Sequence, residues 1–136
     1  MEVSIWDNIY VLTGAYFVLA VLSIVIFLAI FEVVTKYNDW QEIKNGNISV
    51  ALATGGKIVA VAIILAFSIY HNDSLWSAFI WGAFGFGLQL IAYYLFEFFT
   101  PQFKVDEEIE KDNRAVGLLS FLISIGIALV VGASIT

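Results

Sequence analysis

Long apolar stretches alternate with short polar ones along this chain. Three runs without a charged residue cover positions 8–31, 74–96 and 115–136, and a fourth, 48–70, contains only one, Lys57. Each run is long enough for an α-helix to cross about 30 Å of hydrocarbon. The pattern therefore predicts an all-α polytopic membrane protein with four transmembrane helices.

The polar joins after the first and third runs contain the same motif. Residues 31–35 are Phe-Glu-Val-Val-Thr and residues 96–100 are Phe-Glu-Phe-Phe-Thr. In each join a Glu-Ile pair, three further residues and an asparagine follow, and the asparagines are Asn47 and Asn113. Two such copies indicate a duplicated pair of membrane helices.

The duplication sets the predicted organisation. Repeat one covers residues 9–70 and repeat two covers residues 75–135 of a single membrane domain, 1–136. Because each copy crosses the membrane twice, both copies enter from the same side and form a parallel repeat of two helical hairpins.

The joins also contain helix-start signals. Asp39 followed by Glu42 is typical of a capping box, and the acidic residues around Glu107 favour a second helix start. We therefore expect the second and fourth long helices to begin near Trp40 and Glu107 and to continue for about 30 residues each, at 1.5 Å per residue. Pro101 should end the third helix.

Composition indicates that lipid is the solvent. The 136 residues are 61% hydrophobic and only 13% charged, with a mean hydropathy of +0.92. A soluble globule of this size needs more polar surface. The chain has no cysteine, which excludes disulfides, thiolate metal sites and thiol nucleophiles. Since no phosphate-binding loop or nucleophile motif is present either, we expect no enzymatic activity, cofactor, metal or nucleic-acid partner.

The basic residues predict the orientation. Of the six lysines and arginines, all but Lys57 lie in the two joins. The positive-inside rule therefore places both joins in the cytoplasm and both termini outside.

Ionisable residues in the apolar runs are the main functional candidates. Lys57 lies about ten residues beyond Asn47, near the bilayer midplane, where a charge costs about 2.5 to 3.5 kcal/mol. Glu32 and Glu97 lie at the edges of their runs. We expect Lys57 to face protein and to meet Glu32, Glu97 or ordered water. The alternative is that Lys57 extends to the interface and the glutamates only mark the membrane boundary.

Further polar residues share helix faces with the two glutamates. Thr35 follows Glu32 by three residues, and a stripe on the third helix leads to Glu97. The residues of this candidate polar path, in addition to the three ionisable groups, are Thr35, Gln89, Tyr93 and Thr100.

Two other sets of residues predict helix contacts. Asn47 and Asn113, at the membrane entry of the second and fourth helices, are expected to hydrogen-bond neighbouring helices, with ligand contact as the alternative. Small residues at four-residue spacing favour close packing within the chain or between subunits. The small residues singled out are Gly82, Ser120, Ser124 and Gly132. Because four helices enclose little interior, we expect a homo-oligomer.

The repeated motif resembles that of the YjfL-like bacterial inner-membrane proteins, which contain a duplicated two-helix domain of unknown function. The matching residues are Glu42, Ile43, Asn47, Val50 and Ala51 in the first copy and Glu108, Ile109, Asn113, Ala115 and Val116 in the second. The resemblance implies a multi-pass protein of the bacterial cytoplasmic membrane without established catalytic activity, and by analogy a role in membrane organisation or stress.

Two functional hypotheses follow. The first is a non-enzymatic membrane protein that oligomerises and presents its charged joins to a peripheral cytoplasmic protein. The second is a small ion channel or transporter with a polar path that uses Lys57, Glu32 and Glu97. A buried cation favours the second hypothesis, whereas the lack of a second deep carboxylate favours the first.

Overall fold

The computed structural model describes residues 3–135. Four long helices in this part of the chain are apolar enough to cross a membrane, which confirms the predicted all-α polytopic fold. After a short 3-10 turn at Ile5–Asp7, the helices are α1 (Ile9–Val34), α2 (Asp39–Lys44), α3 (Ile48–His71), α4 (Leu75–Phe98), α5 (Val105–Glu110) and α6 (Arg114–Ser134).

Each join folds into a separate short helix. The backbone turns at Gly46, with φ of 87°, and at Asp112, with φ of 61°. Both are left-handed conformations that interrupt an α-helix. Our prediction of two continuous helices that begin near Trp40 and Glu107 is therefore wrong, because these residues belong to α2 and α5.

The start of α2 also differs from the prediction. Asn38 is the N-cap residue, and its side chain accepts a hydrogen bond from the Gln41 amide at 3.1 Å. Asp39 is the first helical residue and is buried, so the predicted capping box of Asp39 with Glu42 is wrong. Helix α4 ends at Phe98, before Pro101.

Helix α3 lies at the centre of the bundle and contacts α1, α4 and α6. Its closest neighbour is α6. A Cβ atom at Gly56 would lie 2.8 Å from the Phe121 Cα, and one at Gly117 would lie 2.7 Å from the Ser49 Cα. Glycine at these two positions lets the backbones of α3 and α6 touch, as is common where helices associate in lipid.

The small residues singled out from the sequence lie on these internal faces. Gly82 of α4 packs against Leu65, and Gly132 of α6 packs against Phe67. Ser120 is buried and Ser124 is half-buried. The small residues of α4 and α6 thus pack against other helices of the same chain.

Candidate functional site

Lys57 is the central residue of the candidate site. It lies in the third turn of α3 and is 3% exposed. Its Nζ atom lies 5.3 Å from the ring centre of Phe31 and 5.4 Å from that of Tyr93. Both rings present their faces to the ammonium, and cation–π attraction of this kind is strongest where water is excluded. Even so, Nζ has no hydrogen-bond partner among residues 3–135.

The glutamates predicted to meet Lys57 do not form ion pairs with it. The three ion pairs in the described part of the chain lie at the surface of the second join and its flanks. Glu32 and Glu97 are both half-buried. Glu32 borders the same cavity as Lys57, whereas Glu97 borders neither of the cavities that Lys57 lines.

Asp39 supplies a buried carboxylate near the ammonium. It is 5% exposed, and its Oδ1 lies 3.5 Å from the Thr35 hydroxyl, whose one proton it shares with the nearer Glu32 carbonyl. Burial raises the pKa of the Asp39 carboxyl, the Lys57 ammonium acts to lower it, and Glu32 adds to the rise. Lys57 and Asp39 line the same cavity but form no ion pair among the described residues, so they interact electrostatically without direct contact.

Asp106 is the second buried carboxylate on this side of the bundle. It is 2% exposed and accepts a short hydrogen bond from the Tyr93 hydroxyl. Burial raises the pKa of the Tyr37 hydroxyl, and the charges of Asp39 and Asp106 raise it further. The site therefore places one lysine between two aromatic rings and near two aspartates of different helices.

Two cavities meet at Lys57. The smaller, of about 10 Å³, lies between α3, α4 and α6 and is lined in part by Gln89, Tyr93 and Ser124. It has room for about one water molecule. Gln89 is buried, and its Nε2 donates a hydrogen bond to the Ser124 carbonyl at 3.0 Å, while its Oε1 has no partner among the described residues.

The larger cavity, of about 390 Å³, lies between α1, α2 and α3. Lys57, Thr54, Asp39 and Glu32 supply its polar atoms, and apolar residues of α1 complete the wall. The Thr54 hydroxyl lies beside the Asp39 carboxyl and acts to lower its pKa, although its geometry falls outside that of a full hydrogen bond. This cavity thus has one unpartnered buried ammonium, a threonine hydroxyl and two acidic groups.

The threonines of the predicted path bond to their own helices. Thr35 donates to the Glu32 carbonyl at 3.1 Å, and Thr100 donates to the Phe96 carbonyl at 2.7 Å. Of the predicted path, Lys57, Gln89 and Tyr93 lie together at the smaller cavity. Thr100 and Glu97 do not line it.

The repeated Glu-Ile-x-x-x-Asn motif has the same geometry in both joins. Asn47 caps α3 by accepting from the Val50 amide at 3.0 Å and donating to Glu42 Oε2 at 3.2 Å. Asn113 caps α6 by accepting from the Val116 amide at 3.4 Å, and its amide donates to Glu108 at 3.0 Å. The motif therefore holds a short helix against the start of a long one in each copy.

The two joins are also bonded to each other. Asn47 Nδ2 donates to the Glu110 carbonyl at 2.8 Å. The Ser49 amide donates to Asp112 Oδ1 at 2.9 Å, and the Ser49 hydroxyl donates to the Asn113 carbonyl at 2.8 Å. We call this unit, residues 35–49 together with 99–115, the paired-join platform.

Sequence reasoning did not identify Asp39, Asp106 and Phe31 as neighbours of Lys57. The sequence indicated Asp39 as part of a capping box, Asp106 as part of a solvated helix start and Phe31 as the first residue of the repeated motif. One feature of the sequence did distinguish Asp39 from an ordinary helix-start residue. The second copy has Val105, and not an acid, at the corresponding position. The described residues include no group of three or more histidines and acids that could hold a metal.

Comparisons with known proteins identify relatives. Residues 4–135 match the family described as Domain of Unknown Function (DUF350). The chain is 52% identical over 130 residues to the UPF0719 transmembrane protein YshE of Bacillus subtilis (strain 168), which covers 96% of this chain and 97% of that protein. It is 32% identical over 105 residues to the UPF0719 inner membrane protein YjfL of Escherichia coli (strain K12), which covers 77% and 78%. No solved structure matches the chain. The resemblance to YjfL-like proteins is therefore confirmed.

Proposed function

We propose that this chain, which belongs to the family described as Domain of Unknown Function (DUF350), is a non-enzymatic membrane module. Its named relatives are transmembrane and inner membrane proteins. In this proposal the protein assembles as a homo-oligomer and presents the paired-join platform to a peripheral cytoplasmic protein. Membrane organisation or a membrane-stress response is the process that suits such a module.

The platform is the observation that carries this proposal. Its two short helices are held by hydrogen bonds between copies, including those from Asn47 to Glu110 and from Ser49 to Asp112. Connecting segments that serve only to link helices have no need of such bonds. A surface fixed in this way keeps its charges in one arrangement, which reduces the entropy lost when a partner binds.

The exposed groups of the platform suit a polar partner surface. Lys104 and Glu107 form an ion pair at 3.7 Å, and Lys111 and Glu108 form one at 3.9 Å. Surface pairs of this kind contribute about 0 to 1 kcal/mol, so they exchange readily for charges on a partner. Trp40, which is 56% exposed, adds an aromatic group of the type that anchors interfaces.

A small ion channel or transporter is the second candidate function, and Lys57 is the observation that favours it. A buried ammonium with no hydrogen-bond partner among residues 3–135 is expensive for a purely structural module. Beyond the smaller cavity, however, toward the turn between α3 and α4, most buried side chains are apolar, among them Ile64, Leu65 and Phe86. The buried Ser68 hydroxyl is bonded to the Ala78 carbonyl. A path would therefore have to form between subunits.

The orientation can be tested by cysteine labelling followed by purification of the chain, which has no cysteine of its own to react. A cysteine at Asn72, in the turn between α3 and α4, should react with an impermeant maleimide in intact cells. A cysteine at the exposed residue Asn38 should react only after the cells are opened. The reverse labelling pattern would contradict the proposed cytoplasmic platform.

The partner and the assembly can be tested by photo-crosslinking. A photoreactive residue in place of Trp40 should form an adduct with a cytoplasmic protein in intact cells, and also with a second copy of the chain if the platforms are adjacent. The matched control is the same replacement at Tyr70, an exposed aromatic residue at the opposite end of α3. If position 40 yields only lipid adducts and the purified protein is a monomer in mild detergent, the proposed module is wrong.

A further inference from the structure

The larger cavity at Lys57 combines features of a ligand site and a lipid-facing groove. Its inner wall contains Lys57 and Thr54, each 3% exposed. The Lys57 ammonium has no hydrogen-bond partner among residues 3–135, and the Thr54 hydroxyl lies beside the Asp39 carboxyl. Its rim contains Val25, which is 60% exposed, and Trp40. A buried ammonium without a hydrogen-bond partner in the wall of a cavity of about 390 Å³ points to a ligand, because buried polar groups are normally satisfied.

The charges around the cavity have a specific arrangement. Lys57 supplies one positive charge, and Asp39 and Glu32 supply two carboxylates on the wall formed by α1 and α2. A ligand that matches this arrangement has a negative group for Lys57 and Thr54 and a positive group with N–H donors for the carboxylates. A phosphate ester joined to a primary amine by a short linker satisfies both requirements.

We propose that this cavity binds the headgroup of a zwitterionic amino-phospholipid, phosphatidylethanolamine, which enters sideways from the bilayer between α1 and α3. The phosphate accepts hydrogen bonds from the Lys57 ammonium and the Thr54 hydroxyl. The primary ammonium donates to Asp39 or Glu32. The acyl chains lie along the apolar surface of α1, where Val25 and Ala29 border the cavity and are exposed.

Other lipids fit the site less well. An anionic headgroup such as phosphatidylglycerol pairs with Lys57 but leaves both carboxylates without a positive partner, next to an added negative charge. A phosphatidylcholine headgroup is zwitterionic, but its quaternary ammonium has no N–H to donate. The site should therefore distinguish the three lipids by the number of charges and donors that each can satisfy.

The test is native mass spectrometry of the purified full chain after removal of lipid and addition of each of the three phospholipids at equal concentration. We expect one phosphatidylethanolamine per chain, bound at least five-fold more than phosphatidylglycerol or phosphatidylcholine. Asp39→Asn should reduce the preference for phosphatidylethanolamine over phosphatidylcholine, whereas Lys57→Met should reduce binding of all three lipids. Lys44→Met is the control. It removes an exposed lysine from the join that contains Asp39, and this variant should bind the lipids like the natural chain.

A second variant keeps the proposal testable if changes at polar residues disturb folding. Ala29→Phe narrows the mouth of the cavity from the exposed side of α1, and it should lower phosphatidylethanolamine binding at least five-fold. Ile30→Phe changes the neighbouring exposed residue of α1, which does not line the cavity, and should have no effect. Equal binding of the three lipids, or unchanged binding in Ala29→Phe, would overturn the proposal. The result does not depend on any cytoplasmic partner, because only protein and lipid are present.

Discussion

Replacing Gly117 with leucine should separate α3 from α6 and destabilise the protein more than the same change at any exposed glycine. A Cβ atom at Gly117 would lie 2.7 Å from the Ser49 Cα and 2.8 Å from the Ser49 carbonyl oxygen. Both obstacles are backbone atoms, which cannot move aside by changing rotamer. The two helices must therefore shift, and the hydrogen bond from the Ser49 hydroxyl to the Asn113 carbonyl is lost.

The expected loss is about 2–4 kcal/mol, since overpacking costs about 1–3 kcal/mol and a lost hydrogen bond about 1 kcal/mol. Thermal unfolding and size-exclusion chromatography in mild detergent measure the effect. Gly117→Ala should give a smaller loss in the same direction. Gly126→Leu on the same helix is the control, because a Cβ atom there meets nothing within 4 Å. Equal thermal stability of Gly117→Leu and Gly126→Leu would show that α3 and α6 are not in backbone contact at this point.

The sequence predicted the membrane helices well because a long uncharged run has few alternatives to a transmembrane helix. The predicted run 48–70 and the observed α3, Ile48–His71, differ by one residue. Asn47 and Ser74 cap their helices, and both lie directly before the first helical residue. At such positions a local side chain and the hydrophobic pattern indicate the same boundary.

The joins were harder to predict because the decisive feature is a single backbone conformation. Helix-start signals at Asp39 and around Glu107 precede the apolar runs by several residues, so the sequence favoured helices that begin there and continue unbroken into the membrane. The left-handed turn at Asp112 has no glycine to mark it. Its side chain accepts from the Ser49 amide in the other copy, and such a tertiary contact is not visible in local sequence.

The candidate site was predicted only in its membrane part. Lys57, Gln89 and Tyr93 were identified because polar residues within apolar runs are rare. Asp39 and Asp106 were missed as members of the site because acidic residues at helix starts are normally solvated. Their burial depends on how the short helices fold back against α3 and α4, which the sequence pattern does not contain.

Replacing Lys57 with glutamate should prevent stable folding, whereas replacing it with methionine should be tolerated. The glutamate would place a third carboxylate near Asp39 and Asp106 and remove the only positive charge among them. The expected cost is about 3–5 kcal/mol, as for other buried charges that lose their partner. Methionine has a similar length and keeps contact with the rings of Phe31 and Tyr93. It leaves the two aspartates without a positive neighbour but adds no third charge and removes the desolvation cost of the ammonium, so its loss should be smaller than that of the glutamate variant.

The methionine variant also has an expected pH dependence. Burial already raises the pKa of Asp39 and the ammonium opposes that rise, so Lys57→Met should raise the pKa further. A carboxyl with a raised pKa in the folded state binds its proton more tightly there than in the unfolded state. Its contribution is therefore fully present below the unfolded pKa of about 4 and is lost as the pH rises through the folded value. Relative to the natural chain, Lys57→Met should lose thermal stability between acid and neutral pH.

Ion flux in proteoliposomes distinguishes the two candidate functions with the same variant. If Lys57 serves a structural or lipid-binding site, both the natural chain and Lys57→Met should show no flux above protein-free vesicles. A flux that is present in the natural chain and altered in Lys57→Met would instead support the channel or transporter, because removing a fixed charge from a narrow path changes its barrier to ions. Lys44→Met is the matched control for loss of one positive charge at the exposed end of α2. Thermal stability of Lys57→Glu equal to that of Lys57→Met would contradict the electrostatic account of the site.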